Sequence, residues 1–316
     1  MKIRTLLLTT AAFVLFYFAA GACFLRYGIE SRVLPRVAPS AQTAAPPFLR
    51  ISGGDGNAML VRRYGTPKAG CVVFFPGQHG NISTYKKDLF PAFTAQGIAV
   101  LAVAYPGQNG APGTPRHLHD IMVLAAQATA SAQATCPGHQ VVLYGRSLGS
   151  MVAAYAAAEV HPAGLVLESA APSFSSAIRL RLNARWYLAP LTLLPVATLL
   201  PHDYSLAEAL SGTHAMPAVV FQGTADDETP LPALQAAGVP GNLRLVVVPG
   251  GTHATTDLLA RDRITRTALA MLRAQHNQEP VHDRSATPES PVRPGSAIPA
   301  RRFSTTEGLV KPEVPE

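Results

Sequence analysis

The sequence predicts an α/β fold with a mostly parallel central sheet and helices on both faces of that sheet. Three observations support this prediction. Four short apolar runs recur between residues 71 and 168, helix-compatible segments separate them, and each run ends at proline, glycine or serine. Serial alternation of this kind favours parallel pairing, because each crossover helix returns the chain to the same end of the sheet.

The apolar pattern and the turn residues assign each element in order. Buried strands are predicted at Cys71–Phe75, Ile98–Tyr105, Gln140–Tyr144, Ala163–Glu168, Ala218–Gly223 and Leu243–Gly250. Helices are predicted at Tyr85–Gln96, Leu118–Ala134 and Leu148–Glu159, with a closing helix at about Thr255–Arg273. Ahead of the first buried strand, the runs FLRIS and AMLVRRY indicate an antiparallel pair.

One segment, residues 172–217, contains no convincing strand. It includes the run RWYLAPLTLLPVATLLP, which is apolar and is interrupted by Pro190, Pro195 and Pro201. Long insertions above a sheet often cover a ligand, so we interpret this segment as a helical cap. The same apolar residues are also compatible with ordinary packing on the domain.

Residues 1–30 predict a transmembrane anchor or a signal peptide. An uncharged stretch at residues 5–25 follows two basic residues and is long enough to cross a bilayer as a helix. We favour an uncleaved anchor, while the small residues at 20–22 fit a cleavage site and Cys23 is an alternative lipidation site. The basic residues Lys2 and Arg4 favour a cytoplasmic N-terminus, with the domain on the periplasmic or secreted side.

Composition divides the remaining chain into three parts. A linker is predicted at 31–46, a folded domain at 47–274, and a disordered, proline-rich tail at 275–316. The net charge is +7, but no basic run interleaves with aromatics, so nucleic-acid binding is excluded. Histidines and carboxylates do not cluster at ligand spacing, and neither a metal nor another cofactor is predicted.

The motif Gly145-Arg146-Ser147-Leu148-Gly149 matches G-x-S-x-G, with a predicted strand before it and a helix after it. The glycines allow a sharp turn that raises the Ser147 hydroxyl above the sheet at a helix N-terminus. There the helix dipole and the Leu148 amide favour developing negative charge. Ser147 is therefore the predicted nucleophile.

A nucleophilic serine needs a base and an acid that orients the base, in the chain order Ser, Asp, His for this architecture. Asp226 follows the next-to-last predicted strand, and His253 follows the last one. All three residues therefore lie at carboxyl ends of strands, where ligand sites on open sheets form. Asp227 remains an alternative to Asp226, because the two are adjacent in sequence.

The oxyanion hole needs a second amide from the loop after an earlier strand. The stretch FFPGQHGNIS fits this role, because Gly77 allows the turn and the Gln78 amide would point inward. Gln78 and Leu148 are thus the predicted oxyanion donors. His79 precedes the serine on a different strand, and we interpret it as a residue on the rim of the pocket.

Several motifs together resemble the α/β-hydrolase superfamily, in particular its membrane-anchored, serine aminopeptidase-like branch, which includes protein depalmitoylases. PGQHGNIS is similar to the branch's HGNAGNIS, AYPGQNGAPGTP to DYRGYGKSEGKP, and residues 142–150 to ILYGRSLGG. Residues 165–169 are similar to LILES, 222–230 to HGTxDExVP and 249–255 to PGAGHND. Three departures are Pro76 and Gln222, each in place of a histidine, and Ser150 in place of glycine.

The resemblance implies a serine hydrolase that cleaves esters, thioesters or amides through an acyl-enzyme. It also implies that the strand beginning at Cys71 and the strand that follows Cys136 are neighbours. A disulfide between these two cysteines is therefore expected if the domain lies outside the cytoplasm. The apolar cap favours a carboxylesterase or acyl thioesterase acting on a small-molecule or acyl substrate, with Trp186 and Tyr187 as candidate substrate-binding residues.

Three alternatives remain open. One is a serine peptidase of the aminopeptidase-like type, for which Glu168 and Asp203 are candidate acids to hold a substrate amine. Another is a non-catalytic binding protein on the same fold, and the third is an acyltransferase that uses Ser147. The chain is expected to meet the membrane through its N-terminal segment.

Overall fold

The computed structural model describes residues 2–34, 47–213, 216–238 and 241–276. Within these residues the core is one eight-stranded sheet. Its strands are β1 (Leu49–Ser52), β2 (Ala58–Tyr64), β3 (Cys71–Phe75), β4 (Ala99–Ala104), β5 (Val141–Arg146), β6 (Gly164–Glu168), β7 (Ala218–Gly223) and β8 (Leu243–Val248). The predicted α/β fold with a mostly parallel sheet is confirmed.

The strand order is β1-β2-β4-β3-β5-β6-β7-β8. The lead-in strands β1 and β2 are antiparallel to each other, and β2 is antiparallel to β4, whereas all later pairs are parallel. In the centre of the sheet, Gly145 of β5 pairs with Phe75 of β3 and with Leu167 of β6. The carboxyl ends of these three strands therefore meet at one edge, where a site is expected.

Helices cover both faces of the sheet. They are α3 (Ile82–Thr94), α4 (Leu118–Thr135), α5 (Leu148–Val160), α9 (Leu231–Ala236) and α10 (Thr256–His276). Helices α4 and α5 share one buried cluster with Val73 and Phe75, whereas α3 and α10 share the other with Val72 and Phe74. Alternate residues of one strand thus face opposite cores, which is why the buried strands read as continuous apolar runs.

The insertion at 172–217 forms the predicted helical cap. It contains α6 (Phe174–Asn183), a short 3₁₀ turn (Ala189–Leu193), α7 (Val196–Leu199) and α8 (Leu206–Ser211). Pro190, Pro195 and Pro201 lie in or beside the short turns and interrupt no longer helix, in keeping with their missing N–H donors. The cap packs on the α4–α5 face through apolar residues that include Phe174, Ile178 and Leu191.

The N-terminal segment is helical and docks on the domain. It consists of α1 (Lys2–Cys23), a π-helical turn (Phe24–Gly28) and α2 (Glu30–Val33). One stretch, Ile3–Gly28, is long and apolar enough to cross a membrane, by length and composition, and its mean hydropathy is 2.0. The predicted linker, residues 31–46, begins as helix, with Val33 and Leu34 buried against the domain. Residues 35–46 and most of the predicted tail lie outside the described residues.

A disulfide joins Cys71, the first residue of β3, to Cys136, which directly follows α4 and precedes β5. The two Cα atoms are 6.1 Å apart, and both side chains are buried. Adjacent parallel strands bring the cysteines together at the end of the sheet opposite Ser147. Bridges of this kind persist in oxidising compartments and are rare in the cytosol.

Removal of this disulfide is expected to destabilise the domain without abolishing its chemistry. The bridge closes a loop with a sequence separation of 65 residues. Disulfides typically stabilise a fold by about 2–4 kcal/mol through the lost freedom of the unfolded chain. We expect Cys71→Ala/Cys136→Ala to lower the free energy of unfolding by about this amount. Denaturant unfolding measures it, with Cys23→Ala as the control, and an unchanged midpoint would contradict the prediction.

Candidate active site

The turn between β5 and α5 holds Ser147 in a strained backbone conformation, with φ 54° and ψ −121°. A non-glycine residue rarely adopts such a φ, and here it lifts the hydroxyl above the strand ends. The flanking glycines permit the approach of neighbouring backbone. A β-carbon at Gly145 would lie 2.2 Å from the Gly149 carbonyl oxygen, and one at Gly149 would lie 2.0 Å from the Phe75 carbonyl oxygen.

The loop between β8 and α10 brings His253 to this serine. Its Nε2 lies 2.9 Å from Ser147 Oγ, and its Nδ1 lies 3.0 and 3.1 Å from the two carboxylate oxygens of Asp226. A neutral imidazole with a proton on Nδ1 donates to Asp226 and leaves Nε2 to accept from the serine. The geometry can therefore take a proton from Ser147 and hold the resulting imidazolium beside a carboxylate.

Asp226, rather than Asp227, faces the histidine. The Asp226 side chain is buried and accepts from the amides of Glu228 and Thr229 at 3.1 and 2.8 Å and from the Thr229 hydroxyl at 2.8 Å. Burial alone would raise the pKa of Asp226, but the hydrogen bonds from His253 and the Thr229 amide lower it below its ordinary value. This ionised form stabilises the fold at neutral pH, and the contribution is lost as the pH falls through the lowered pKa.

Gln222, which replaces a histidine in the resembled motif, supports the same carboxylate from the end of β7. Its amide nitrogen lies 3.5 Å from Asp226 Oδ2 and donates to the Thr229 carbonyl, while its carbonyl accepts from the Ala170 amide at 3.0 Å. The side chain is fully buried. Glutamine in place of the histidine therefore still supplies a polar group, and this group holds the turn from Asp226 to Thr229.

The loop after β3 places Gln78 beside the serine. A β-carbon at Gly77 would lie 3.2 Å from Ser147 Cβ, so the close approach of this loop depends on glycine. The loop carbonyls are held from one side. Tyr105 donates to the Pro76 carbonyl at 3.0 Å, and the buried Gln108 amide contacts the carbonyls of Gly77 and Gln78 at 3.4 and 3.3 Å. Pro76 thus sits in a fixed loop despite its departure from the motif.

Neither predicted oxyanion amide, of Gln78 or of Leu148, donates in a loop hydrogen bond among the described residues. Leu148 is the first residue of α5, where amides lack an intrahelical partner. Both amides therefore remain available to a negatively charged oxygen near Ser147.

Arg146, between the first glycine and the serine, is a residue that the sequence reasoning left without a role. Its guanidinium donates to Glu168 at 3.0 Å, to the Tyr85 hydroxyl at 2.7 Å and to the His253 carbonyl at 2.5 Å. Burial alone would lower its pKa, but Glu168 beside it raises the pKa above the ordinary value, so the group stays cationic. Its position inside the G-x-S-x-G motif, next to Ser147, is the sequence signal that places it near the site.

The two acids that the sequence offered for a substrate amine are both engaged elsewhere. Glu168 is fully buried and accepts hydrogen bonds from Arg146 and from the Tyr144 hydroxyl. Asp203 accepts from the Ser175 amide and hydroxyl, both at 2.7 Å, at the start of α6. Neither residue lines the two cavities that contain Ser147.

Two cavities meet at Ser147 and His253. The first has a volume of about 420 Å³ and is lined largely by polar residues, with the exposed His79 at its rim, as interpreted from the sequence, and with Asp227 and Glu228. The second is narrow, about 50 Å³, and is lined mainly by apolar side chains. It runs beneath the cap past Leu148, Met151, Phe174 and Ile178.

The structure does not bring Trp186 and Tyr187 to Ser147. Both lie in the cap between α6 and its 3₁₀ turn, and neither lines the two cavities that contain the serine. Trp186 is 86% exposed, and the Tyr187 carbonyl accepts a hydrogen bond from Tyr17 of α1 at 2.6 Å. Both residues follow the end of α6 at Asn183, in a part of the cap that lies outside these two cavities.

Known proteins resemble the chain in both sequence and fold. A family model described as "Serine aminopeptidase, S33" matches residues 66–216. An uncharacterized protein of Mycobacterium tuberculosis is 32% identical over 219 residues, which are 67% of this chain and 68% of that protein.

Solved structures share the fold at low sequence identity. An esterase of Pyrococcus furiosus is 16% identical with a TM-score of 0.57, over 76% of this chain and 97% of that one. An esterase of Exiguobacterium antarcticum is 17% identical with a TM-score of 0.51, over 71% and 99% of the two chains. The chain thus belongs to the serine aminopeptidase S33 family and is an α/β-hydrolase-type hydrolase.

Proposed function

We propose that this protein is a serine hydrolase that cleaves esters or thioesters of fatty acids. The observation that carries the proposal is the continuous set of hydrogen bonds from Asp226 through His253 to Ser147, at a strained turn on the strand ends. A hydrogen-bonded nucleophile, base and orienting acid is the arrangement that acyl transfer needs.

The reaction follows from these contacts. His253 Nε2 takes the Ser147 proton as Oγ attacks the substrate carbonyl, and the Gln78 and Leu148 amides hold the oxyanion. His253 then protonates the leaving alcohol or thiol, and an acyl-enzyme remains on Ser147. Water, deprotonated by the same histidine, cleaves the acyl-enzyme and restores the serine.

The apolar cavity under the cap supports an acyl substrate. Leu148, Met151, Phe174 and Ile178 line this cavity together with Ser147, and none of the four lines the polar cavity. A cavity of about 50 Å³ has room for the first carbons of an acyl chain. Each methylene buried there would contribute about 0.8 kcal/mol of favourable transfer free energy. The polar cavity would then hold the leaving group and admit water.

A serine aminopeptidase is the second candidate, and one observation favours it. Asp227 and Glu228 are exposed acids on the polar cavity, where they can attract a substrate amine. His79 and Arg181 line the same cavity, so the acids share it with basic side chains. A comparison of acyl thioesters with aminoacyl amides of equal length separates the two candidates.

Labelling of the full chain with a fluorophosphonate probe tests the proposal. The probe reacts with activated serines and needs no knowledge of the substrate. We expect the adduct to map to Ser147 by peptide mass spectrometry and to disappear in Ser147→Ala. Hydrolysis of decanoyl esters faster than acetyl esters would then support the acyl assignment. A folded wild-type chain without an adduct, or with the adduct on another serine, would contradict the proposed nucleophile.

We further propose that α1 remains as a membrane anchor and that the domain lies outside the cytoplasm. The length and hydropathy of Ile3–Gly28 support the anchor. The Cys71–Cys136 disulfide supports an oxidising compartment for the domain.

A further inference from the structure

The cap carries an exposed apolar surface beside the N-terminal helix. It consists of Trp186, Tyr187 and Leu193, whose side chains are 86%, 48% and 81% exposed. We refer to these three residues as the cap shoulder. Large apolar side chains grouped in this way on a surface indicate an interaction site, because water contact with them is unfavourable.

The cap shoulder and its neighbours contact α1 at defined positions along that helix. The Tyr17 hydroxyl donates to the Tyr187 carbonyl at 2.6 Å. Leu191, in the same 3₁₀ turn as Leu193, packs on Gly21, where a β-carbon would lie 2.2 Å from the Leu191 side chain. Residues Tyr17 and Gly21 are within the stretch Ile3–Gly28 that can cross a membrane.

The segment after α1 holds the domain close to that helix. Leu25 and Ile29 are buried against the domain, and the Glu30 carboxylate lies 3.0 Å from Nδ1 of His117. Arg26 donates to the Leu200 carbonyl in the cap at 3.4 Å. Helix and domain are therefore joined by packing, so a bilayer that surrounds α1 also meets the cap.

Helix geometry gives the depth of this contact. At 1.5 Å per residue, the hydrocarbon thickness of about 30 Å takes about 20 residues. Counted from the last basic residue of the N-terminus, Arg4, this length ends near Phe24. Tyr17 and Gly21 then lie within about 10 Å of the far membrane surface. Tryptophan and tyrosine are enriched where this far boundary meets the lipid headgroups.

We propose that the cap shoulder rests in the interface of the bilayer that α1 enters, so that its partner is a lipid surface. This proposal depends on the proposed retention of α1 as an anchor. Arg185, which is exposed and donates to the Tyr187 hydroxyl at 3.2 Å, is placed to meet lipid phosphates beside the rings of Trp186 and Tyr187.

This placement gives the active site access to the membrane. A cavity of about 640 Å³ lies between the π-helical turn and α6, and Phe24, Ile29 and Leu188 are among its lining residues. It shares five lining residues with the narrow cavity at Ser147: Val33, Gln78, Ile178, Arg181 and Glu228. Because the two cavities share lining residues, an amphiphile that enters the wider one from the bilayer side comes next to the cavity that contains Ser147.

The sole tryptophan of the chain, Trp186, reports directly on the proposal. The full chain is reconstituted in phosphatidylcholine vesicles in which some lipids carry bromine on the upper acyl chain. We expect brominated lipid to quench most of the tryptophan emission, and aqueous iodide to quench little of it. Strong iodide quenching without bromine quenching would place Trp186 in water and overturn the proposal. Resistance to both quenchers would indicate a protein partner and would also overturn it.

Two variants sharpen the measurement. Leu193→Asp adds a charge to the cap shoulder, and we expect it to raise iodide quenching and lower bromine quenching. Leu259→Asp is the matched control, because Leu259 is 59% exposed on α10, on the other face of the sheet, and should change neither. The intact mass of the purified chain shows whether α1 is retained, and its loss would overturn the proposal. Fluorophosphonate labelling in the same vesicles tests the hydrolase proposal independently.

Discussion

Asp226→Asn is expected to lower kcat by about 10⁴-fold while the protein remains folded. Asp226 accepts from His253 Nδ1, which fixes the tautomer whose Nε2 faces Ser147. An asparagine amide can donate to Nδ1 instead, and this places the imidazole proton on Nε2, where it cannot accept from the serine. Steady-state hydrolysis of an acyl ester measures the loss, and circular dichroism checks the fold.

Asp227→Asn is the matched control, since it changes the same charge one residue away. Asp227 is exposed and, among the described residues, forms no hydrogen bond or ion pair with His253, so we expect its substitution to change kcat by less than about tenfold. A large loss from Asp227→Asn together with a small loss from Asp226→Asn would reverse the assignment of the acid.

Gly149→Ala is expected to abolish fluorophosphonate labelling and to destabilise the domain. The added methyl would lie 2.0 Å from the Phe75 carbonyl oxygen and 2.6 Å from that of Pro76, so backbone has to move. Overpacking of this kind typically costs about 1–3 kcal/mol. The displaced end of β3 leads into the loop that contains Gln78, so the proposed oxyanion donors would move together with Ser147.

Gly212→Ala is the control for the backbone change. Gly212 follows α8 with φ −90°, and nothing lies within 4 Å of an added β-carbon. We expect labelling to be unchanged and the free energy of unfolding to shift by less than about 1 kcal/mol. Thermal unfolding and labelling rates of the two variants are compared. Normal labelling by Gly149→Ala would show that the elbow tolerates a side chain there.

The sequence predicted the strands and the elbow because their signals are local. A fully buried strand requires a continuous apolar run, and the sharp turn at Ser147 requires glycine on either side, whatever surrounds them. For this reason the bounds Cys71–Phe75 and Ala218–Gly223 coincide in sequence and structure. Helix α9, which is six residues long and begins beside Pro230, has too short a pattern to be predicted.

The sequence alone determined the fold class, the order of the chemical groups along the chain, and the strand ends at which those groups lie. Only the folded chain shows which of Asp226 and Asp227 faces His253, because the two residues are adjacent and the turn after β7 buries one carboxylate and exposes the other. The contacts of Arg146 and the place of Trp186 also follow only from the folded chain. These depend on contacts such as Arg146 to His253 and Tyr17 to Tyr187, 107 and 170 residues apart in the chain. Such pairs leave no periodicity in the sequence, since the sheet and the N-terminal helix bring them together only after folding.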